Sequence, residues 1–137
     1  MRAIILLALA LFAVAPAWAE MLHFKARLDT ASEVPQKTGP GHGTVDATLD
    51  TATARLTYTI TYADLSGPLT GAHFHGPAGP TEKGDVAVKI GGNLASPIHG
   101  EATLTHEQME ALMHGRWYVN LHTAANPGGE VRGQVMK

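Results

Sequence analysis

The sequence predicts an all-β protein, an antiparallel Greek-key β-sandwich or barrel of about eight strands with one short helix near residues 106–114. The first observation is that apolar and polar residues alternate in most segments, which is the period of a strand with one buried face. The second is that glycine, proline and aspartate separate these segments at short intervals. The third is a single segment that carries the capping signals of a helix.

The predicted strands follow this alternation along the chain. In the first of them, Phe24 and Leu28 lie on the apolar face, and the third is rich in β-forming residues. Asp50 and Thr51 predict a tight hairpin between the second and third strands. The full set of predicted strands is 22–29, 43–50, 54–62, 69–75, 85–90, 98–104, 116–123 and 129–136.

The helix prediction rests on the two ends of the segment. Thr105 and Gln108 form a T-x-x-Q capping box, and Gly115 closes the C-terminus. A helix of this length is too short to be stable alone, so it must pack on the sheet. We expect Met109 and Leu112, together with the neighbouring Met113, to form its buried stripe.

The N-terminal segment predicts export from the cytoplasm. Arg2 precedes a short apolar run, and Ala-Trp-Ala at residues 17–19 is a small-x-small site typical of signal-peptide cleavage. The apolar run is shorter than the ~20 residues that a membrane-spanning helix needs. We therefore expect a signal peptide over residues 1–19, a single domain over residues 20–137, no membrane span after cleavage, and a periplasmic or secreted location.

Composition narrows the chemistry that this domain could perform. The chain has no cysteine, which excludes disulfides, zinc fingers, blue-copper sites and thiol redox chemistry. Its net charge is only -2 and it lacks a cluster of lysine and arginine, so nucleic acid is not expected as a partner. No nucleophile elbow, P-loop or dinucleotide fingerprint occurs, and no catalytic residue is assigned. The eight histidines are the main metal-binding side chains that remain.

Two segments are predicted to point histidines away from the core. Side chains two apart in a strand share a face, so His73 and His75 project outward if Phe74 points into the core. By the same alternation His122 points outward with Asn120 in a later strand. If these two strands pair side by side, the three imidazoles meet. Neutral imidazoles suit copper(II) or zinc(II).

Further candidates surround this set. A fourth ligand could come from His42 or His99, and Asn120, Glu130 and Arg132 are candidates for holding the ligand rings from behind. A simpler alternative is that the H-x-H pattern arises by chance and the outward histidines are only solvated. Glu130 and Arg132 share a face of the last strand, which also fits a structural pairing with neighbouring strands.

Several motifs together resemble the CHRD domain, which is named from chordin. The resemblance spans nearly all of the predicted domain and implies a module that occurs singly in many bacterial secreted proteins. It implies little about molecular function, although chordin itself is an extracellular binding protein. The matching segments are ASEVP (31–35), the G-x-G-T pattern (41–44), LTYTI (56–60), GAHFHGPAG (71–79), GEATLT (100–105) and YVNLHTAANPGGEVRGQV (118–135).

A looser similarity is to the copper–zinc superoxide dismutases. These Greek-key β-sandwiches carry an outward H-x-H on a strand, a late histidine and an arginine on the last strand. His73, His75, His122 and Arg132 occur here in a similar order. The chain departs from that pattern because it has no cysteine pair and no long zinc-binding loop within residues 76–85. The similarity therefore supports a copper-like ligand set rather than dismutase activity.

These observations lead to a metal-binding hypothesis with two alternatives. We expect one metal ion per chain, copper in preference to zinc, bound by His73, His75 and His122 for storage, chaperoning or delivery. The first alternative is a metal-free extracytoplasmic module that binds a protein partner, and a homodimer is also open. The second is a dismutase-like copper redox enzyme in which Arg132 steers an anion.

Overall fold

The computed structural model describes residues 18–137, which form an eight-stranded antiparallel sheet and a helix. Every predicted strand and the predicted helix are present, with ends that agree to within two residues. The signal-peptide prediction falls mostly on residues 1–17, which lie outside the described residues, so it stays a prediction. The elements are β1 Met21–Asp29, β2 His42–Asp50, β3 Arg55–Ala63, β4 Leu69–His75, β5 Val86–Lys89, β6 Ile98–Thr103, α1 His106–Met113, β7 Trp117–Thr123 and β8 Val131–Val135.

The strands follow the order β5-β4-β7-β8-β1-β2-β3-β6. The consecutive strands β1, β2 and β3 are neighbours, whereas the chain crosses between the two halves of the sheet after β3, after β5 and after β6. The halves meet where β8 pairs with β1, at Asp29 with Arg132 and at Lys25 with Met136. The sheet is thus a nearly closed antiparallel barrel with one helix in the described part, as the sequence predicted.

The inward side chains of both halves form one hydrophobic core. In β1, β2 and β3 the burial alternates, so that the apolar residues of each strand face inward and the polar residues face out. Phe74 of β4 packs edge-on against Tyr58 of β3, with 5.0 Å between ring centroids, and lies tilted against Trp117 of β7 at 5.6 Å. The contact with Tyr58 joins the two halves, and both contacts place Phe74 in the core as expected.

Helix α1 has the capping box that the sequence predicts. The Thr105 hydroxyl accepts a hydrogen bond from the Gln108 amide at 3.1 Å, and the Gln108 side chain accepts one from the Thr105 amide at 2.9 Å. Leu112 is fully buried, but Met109 and Met113 are only partly buried, so the buried stripe is narrower than predicted. The Gln108 side chain also donates to a backbone carbonyl of β5 at 3.0 Å, which ties the helix to that edge strand. Within residues 18–137, no helix is both long and apolar enough to cross a membrane.

A loop of residues 76–85, between β4 and β5, folds back over the outer face of β7 and β8. Arg132 and Gln134 of β8 hold this loop by donating side-chain hydrogen bonds to its carbonyls at 2.7 to 3.0 Å. Tyr118 and Asn120 do point away from the core as predicted, yet they are only 3% and 5% exposed. The outer face is therefore covered at this end of the barrel, and the candidate site lies at the margin of the cover.

Candidate metal centre

Strands β4 and β7 lie side by side and bring the three predicted histidines to one patch of the outer face. In their antiparallel register, His122 lies opposite Gly71, and Asn120 lies opposite His73. His75 projects from the same face of β4 as His73, and all three imidazoles are partly buried. Each ring offers one nitrogen, and the three nitrogens lie within 4.8 Å of one another. The pairing of strands on which the sequence prediction depended is therefore present.

Backbone carbonyls determine which ring nitrogens carry a proton. His75 Nδ1 lies 3.0 Å from the carbonyl oxygen of Gly84, and His122 Nδ1 lies 2.9 Å from that of Pro127. A carbonyl oxygen can only accept a hydrogen bond, so each Nδ1 carries the proton and donates it. In the neutral form with this tautomer, the Nε2 atom of each ring presents a lone pair. A backbone carbonyl that fixes the tautomer in this way is typical of metal-binding histidines.

The two lone pairs converge on a single oxygen atom. Asn120 Oδ1 lies 2.9 Å from Nε2 of His75 and 2.9 Å from Nε2 of His122. An amide oxygen likewise can only accept a hydrogen bond. When both rings are neutral, each contact therefore sets a lone pair of Nε2 against a lone pair of Oδ1, with no proton between them. The Asn120 amide nitrogen donates to the Gly128 carbonyl at 3.4 Å, and turning the amide would set Oδ1 against that carbonyl. Binding of a cation among these atoms would make the same contacts favourable.

His73 completes the cluster. Its Nδ1 lies 3.1 Å from His122 Nε2, and the two rings meet edge to face at 4.9 Å between centroids. Burial lowers the pKa of His73, and the neighbouring His122 and His75 lower it further. Burial also lowers the pKa of His75, against hydrogen bonds to Gly84 and Asn120 that favour protonation. Both rings are therefore kept in the neutral form that binds metal ions.

A stack of planar groups supports His75. The Tyr118 ring is nearly parallel to the imidazole, with an angle of 5° and 4.8 Å between centroids. Arg132 covers the Tyr118 ring from the β8 side, with its guanidinium carbon 3.4 Å from the ring centre. The stack restricts rotation of the His75 ring, and the arginine charge adds to the burial that lowers the pKa of His75.

The two candidates for a fourth ligand lie elsewhere. His99 is on β6, in the other half of the sheet, and its Nδ1 contacts the Thr59 hydroxyl at 3.1 Å. His42 begins β2, and its Nδ1 lies 3.0 Å from the Pro40 carbonyl oxygen. The group of described residues that can share a metal ion contains His73, His75 and His122, so neither candidate joins it.

Glu130 and Arg132 have structural partners. Glu130 accepts hydrogen bonds from the Ser66 amide at 2.8 Å, the Ser66 hydroxyl at 2.7 Å and the Thr123 hydroxyl at 2.6 Å. Burial disfavours its charge, but the hydrogen bonds from Thr123 and Ser66 lower the pKa of Glu130 overall. Arg132 is 2% exposed and is occupied by two loop carbonyls and the Tyr118 ring. It is therefore not placed to steer an anion, as the dismutase-like alternative requires.

One residue near the site has no role in the sequence prediction, namely Glu33. It is 4% exposed, and its Oε1 has no hydrogen-bond partner among the described residues. Burial raises the pKa of this carboxyl to about 7, against the attraction of Arg132 and Lys37. A Cβ added at Gly129 would lie 2.5 Å from Glu33 Oε1 and 2.7 Å from the amide nitrogen of Asn120. The carboxyl therefore lies just behind Asn120. Glu33 belongs to the ASEVP segment, but it is in a loop, where the alternation of strand residues gives no signal.

The family model described as the CHRD domain matches residues 24–135, which include almost the whole sheet and all three histidines. The chain belongs to the CHRD family. Membership in the CHRD family confirms the resemblance seen in the motifs, and it suggests an extracellular module, which is compatible with a secreted protein. No curated protein and no solved structure matches the chain, so the looser similarity to superoxide dismutases stays a prediction.

Proposed function

We propose that this CHRD domain binds one metal ion outside the cytoplasm, copper in preference to zinc, through His73, His75 and His122. The function that fits such a site is storage, chaperoning or delivery of the metal. The observation that carries the proposal is the convergence of the His75 and His122 Nε2 lone pairs on the Asn120 oxygen, at 2.9 Å each. Both tautomers are held by backbone carbonyls, so the rings do not need to reorganise in order to bind.

The preference for copper follows from the donor set. The chain has no cysteine, so the site cannot provide the thiolates of structural zinc sites or of copper(I) carriers. Imidazole nitrogen binds both copper(II) and zinc(II), and the general affinity order for divalent metals places copper first. A histidine-only set is therefore expected to retain copper(II) against zinc(II) at equal concentrations.

The rigidity of the site supports binding at low metal concentrations. The three rings project from two paired strands, and the Tyr118–Arg132 stack and loop 76–85 restrict His75 from behind. Ordering that is already present in the free protein does not oppose binding. Together these contacts favour a fixed site rather than an adventitious pair of surface histidines.

The competing function is a metal-free module that binds a protein partner, which fits the family equally well. In that case the Asn120 amide would be turned, so that its two N–H groups donate to the Nε2 atoms of His75 and His122. The three histidines would then form a closed hydrogen-bonded network. The two functions differ in whether a metal changes the stability of the fold.

Copper titration of chelator-treated protein tests the proposal. We expect one copper per chain by calorimetry and by elemental analysis. At a hundredfold excess over the dissociation constant, copper should stabilise the fold by about 2.7 kcal/mol. Replacing both His73 and His75 with alanine should abolish the binding, whereas His99→Ala, at an exposed histidine of the other half of the sheet, should leave it unchanged. Copper binding by the double variant equal to that of the wild type would refute the assignment.

A further inference from the structure

We infer that the metal site keeps an open coordination position beside Gly71, which takes a small external ligand, either water or a monodentate anion. The inference rests on the proposed metal binding at His73, His75 and His122. It adds that the bound metal is accessible for ligand exchange, as a site that releases its metal to an acceptor requires.

The number of protein donors leaves a position free. The described residues that can share the ion provide three ring nitrogens. Structural metal sites are closed by four protein ligands, whereas sites with three protein ligands keep a position for an exchangeable one. The Asn120 oxygen lies close enough to become a neutral, weak donor. Even with that oxygen, the tetragonal geometry of copper(II) has room for a further ligand.

The geometry at Gly71 shows where this position lies. A Cβ added at Gly71 would meet, within 4 Å, only the Cε1 atom of His73 at 3.4 Å and the Cδ2 atom of His122 at 3.9 Å. Cε1 is bonded to Nδ1 of His73, and Cδ2 is bonded to Nε2 of His122, and these two nitrogens lie 3.1 Å apart. The missing side chain therefore leaves a space directly alongside the pair of donor atoms.

The surroundings of this space keep it open and favour a negative charge. Lys89 of β5 lies opposite His73 in the strand pairing and is exposed, so its ammonium group raises the local concentration of anions. The backbone pairing continues past β5, because the Ile90 amide donates to the Ala72 carbonyl at 3.0 Å. Gly91 follows, and a Cβ added there would meet no atom within 4 Å. Gly71 on β4 and Gly91, two residues after the end of β5, therefore contribute no side chain that could block this space.

The test uses azide as a monodentate anion and the full-length copper-loaded protein. We expect azide to bind the wild-type copper site, with an azide-to-copper charge-transfer absorption and a changed copper EPR spectrum. Gly71→Val should retain copper, because its Cβ makes only ordinary contacts. It should weaken azide binding by roughly tenfold or more, the discrimination that a few methyl groups in a pocket commonly give. Gly71→Ala should have an intermediate effect.

Gly67→Val is the matched control, because an added Cβ there meets no atom within 4 Å, and its azide affinity should equal that of the wild type.

Each outcome separates this inference from the proposed function. If the wild-type protein binds copper but shows no azide-to-copper absorption, the site is closed. If Gly71→Val binds azide as tightly as the wild type, the open position lies elsewhere. Either result overturns the inference and leaves the metal site standing. Wild-type protein that takes up no copper refutes the proposed function, and the open position falls with it.

Discussion

Gly129 lies at a closely packed point behind the candidate site. Its φ of +121° lies in a region that residues with a side chain rarely adopt. An added Cβ would lie 2.5 Å from Glu33 Oε1 and 2.7 Å from the amide nitrogen of Asn120. The glycine allows the turn after β7 to approach the strand closely enough for the Pro127 carbonyl to accept from His122.

Gly129→Ala should therefore destabilise the fold and weaken the site together. We expect a loss of about 2 to 3 kcal/mol in the free energy of unfolding, from the strained backbone and the overpacking. Copper binding should also weaken, because the turn that fixes the His122 tautomer must shift. Urea unfolding and copper titration measure the two effects.

Gly128→Ala is the matched control for this substitution, because a Cβ at Gly128 would meet no atom within 4 Å. Its stability should remain within about 0.5 kcal/mol of the wild type, as for most surface substitutions. Equal effects of the two alanine variants would show that the contacts at Gly129 do not constrain the turn.

Strand β8 and loop 76–85 act together as the support for His75. Arg132 donates to two carbonyls of this loop, and the loop in turn provides the Gly84 carbonyl that holds the imidazole. The same guanidinium lies on the face of Tyr118, whose other face packs on His75. A single side chain of β8 therefore acts on the ligand ring through two separate contacts.

Arg132→Lys should weaken copper binding although it keeps the positive charge. Lysine has a compact ammonium group instead of a planar guanidinium with several N–H donors, so it cannot both stack on Tyr118 and reach two carbonyls. We expect roughly 10- to 100-fold lower copper affinity, the usual effect of losing a group that orients a ligand. The copper EPR spectrum of the variant should also broaden, because His75 is held less firmly.

Arg116→Lys provides a comparison at an arginine that precedes β7 and contacts the same loop through Glu82. Arg116 is half exposed, and its guanidinium lies 3.8 Å from the Glu82 carboxylate. Exposed ion pairs of this kind contribute about 0 to 1 kcal/mol, so copper affinity should not change. If Arg132→Lys also binds copper with wild-type affinity, the stack and the loop contacts do not position His75.

The elements of this fold could be predicted because each carries its own local signal. The alternation in β4 predicts that Phe74 is buried and that His73 and His75 point outward, and both are observed. The capping residues of α1 predict its start in the same way. Loop 76–85 could not be predicted, because its path depends on Arg132 and Gln134, which are distant in sequence.

At the scale of the whole molecule, the pairing of β4 with β7 decides whether a site exists. These strands are far apart in the chain, and the alternation within each could not establish that they are neighbours. The face of the sheet on which the histidines lie was therefore predictable. The tautomers of His75 and His122 were not, because the backbone carbonyls of Gly84 and Pro127 set them. Tyr118 was predicted to point outward, yet only the pairing with β4 and β8 shows that it stacks on His75.

The buried carboxyl of Glu33 should make the stability of the whole fold depend on pH. Burial raises the pKa of Glu33 in the folded protein to about 7, against 4.5 as its ordinary value. Below 4.5 the carboxyl is protonated in both states, and between these values only the folded state keeps the proton. The unfolded state then binds fewer protons, so the stability that Glu33 contributes is complete at low pH and is lost as the pH rises to about 7.

Glu33→Gln should remove this pH dependence, because the amide has nearly the same shape and does not ionise. Each pKa unit corresponds to about 1.4 kcal/mol, so the change from 4.5 to about 7 predicts a variant that is about 3.5 kcal/mol more stable than the wild type above pH 7. Near pH 4.5 the two proteins should be equally stable. Urea unfolding of chelator-treated protein across this range measures the difference in stability between the variant and the wild type. Titratable groups that both proteins share contribute equally to both stabilities and cancel in this difference. One of these groups is Glu130, whose lowered pKa acts in the opposite direction and at lower pH.

A constant difference in stability across the whole range would show that Glu33 is ionised in the folded protein. In that case its charge would have to be balanced by Arg132, and the carboxylate would lie behind the metal site as a fixed negative charge.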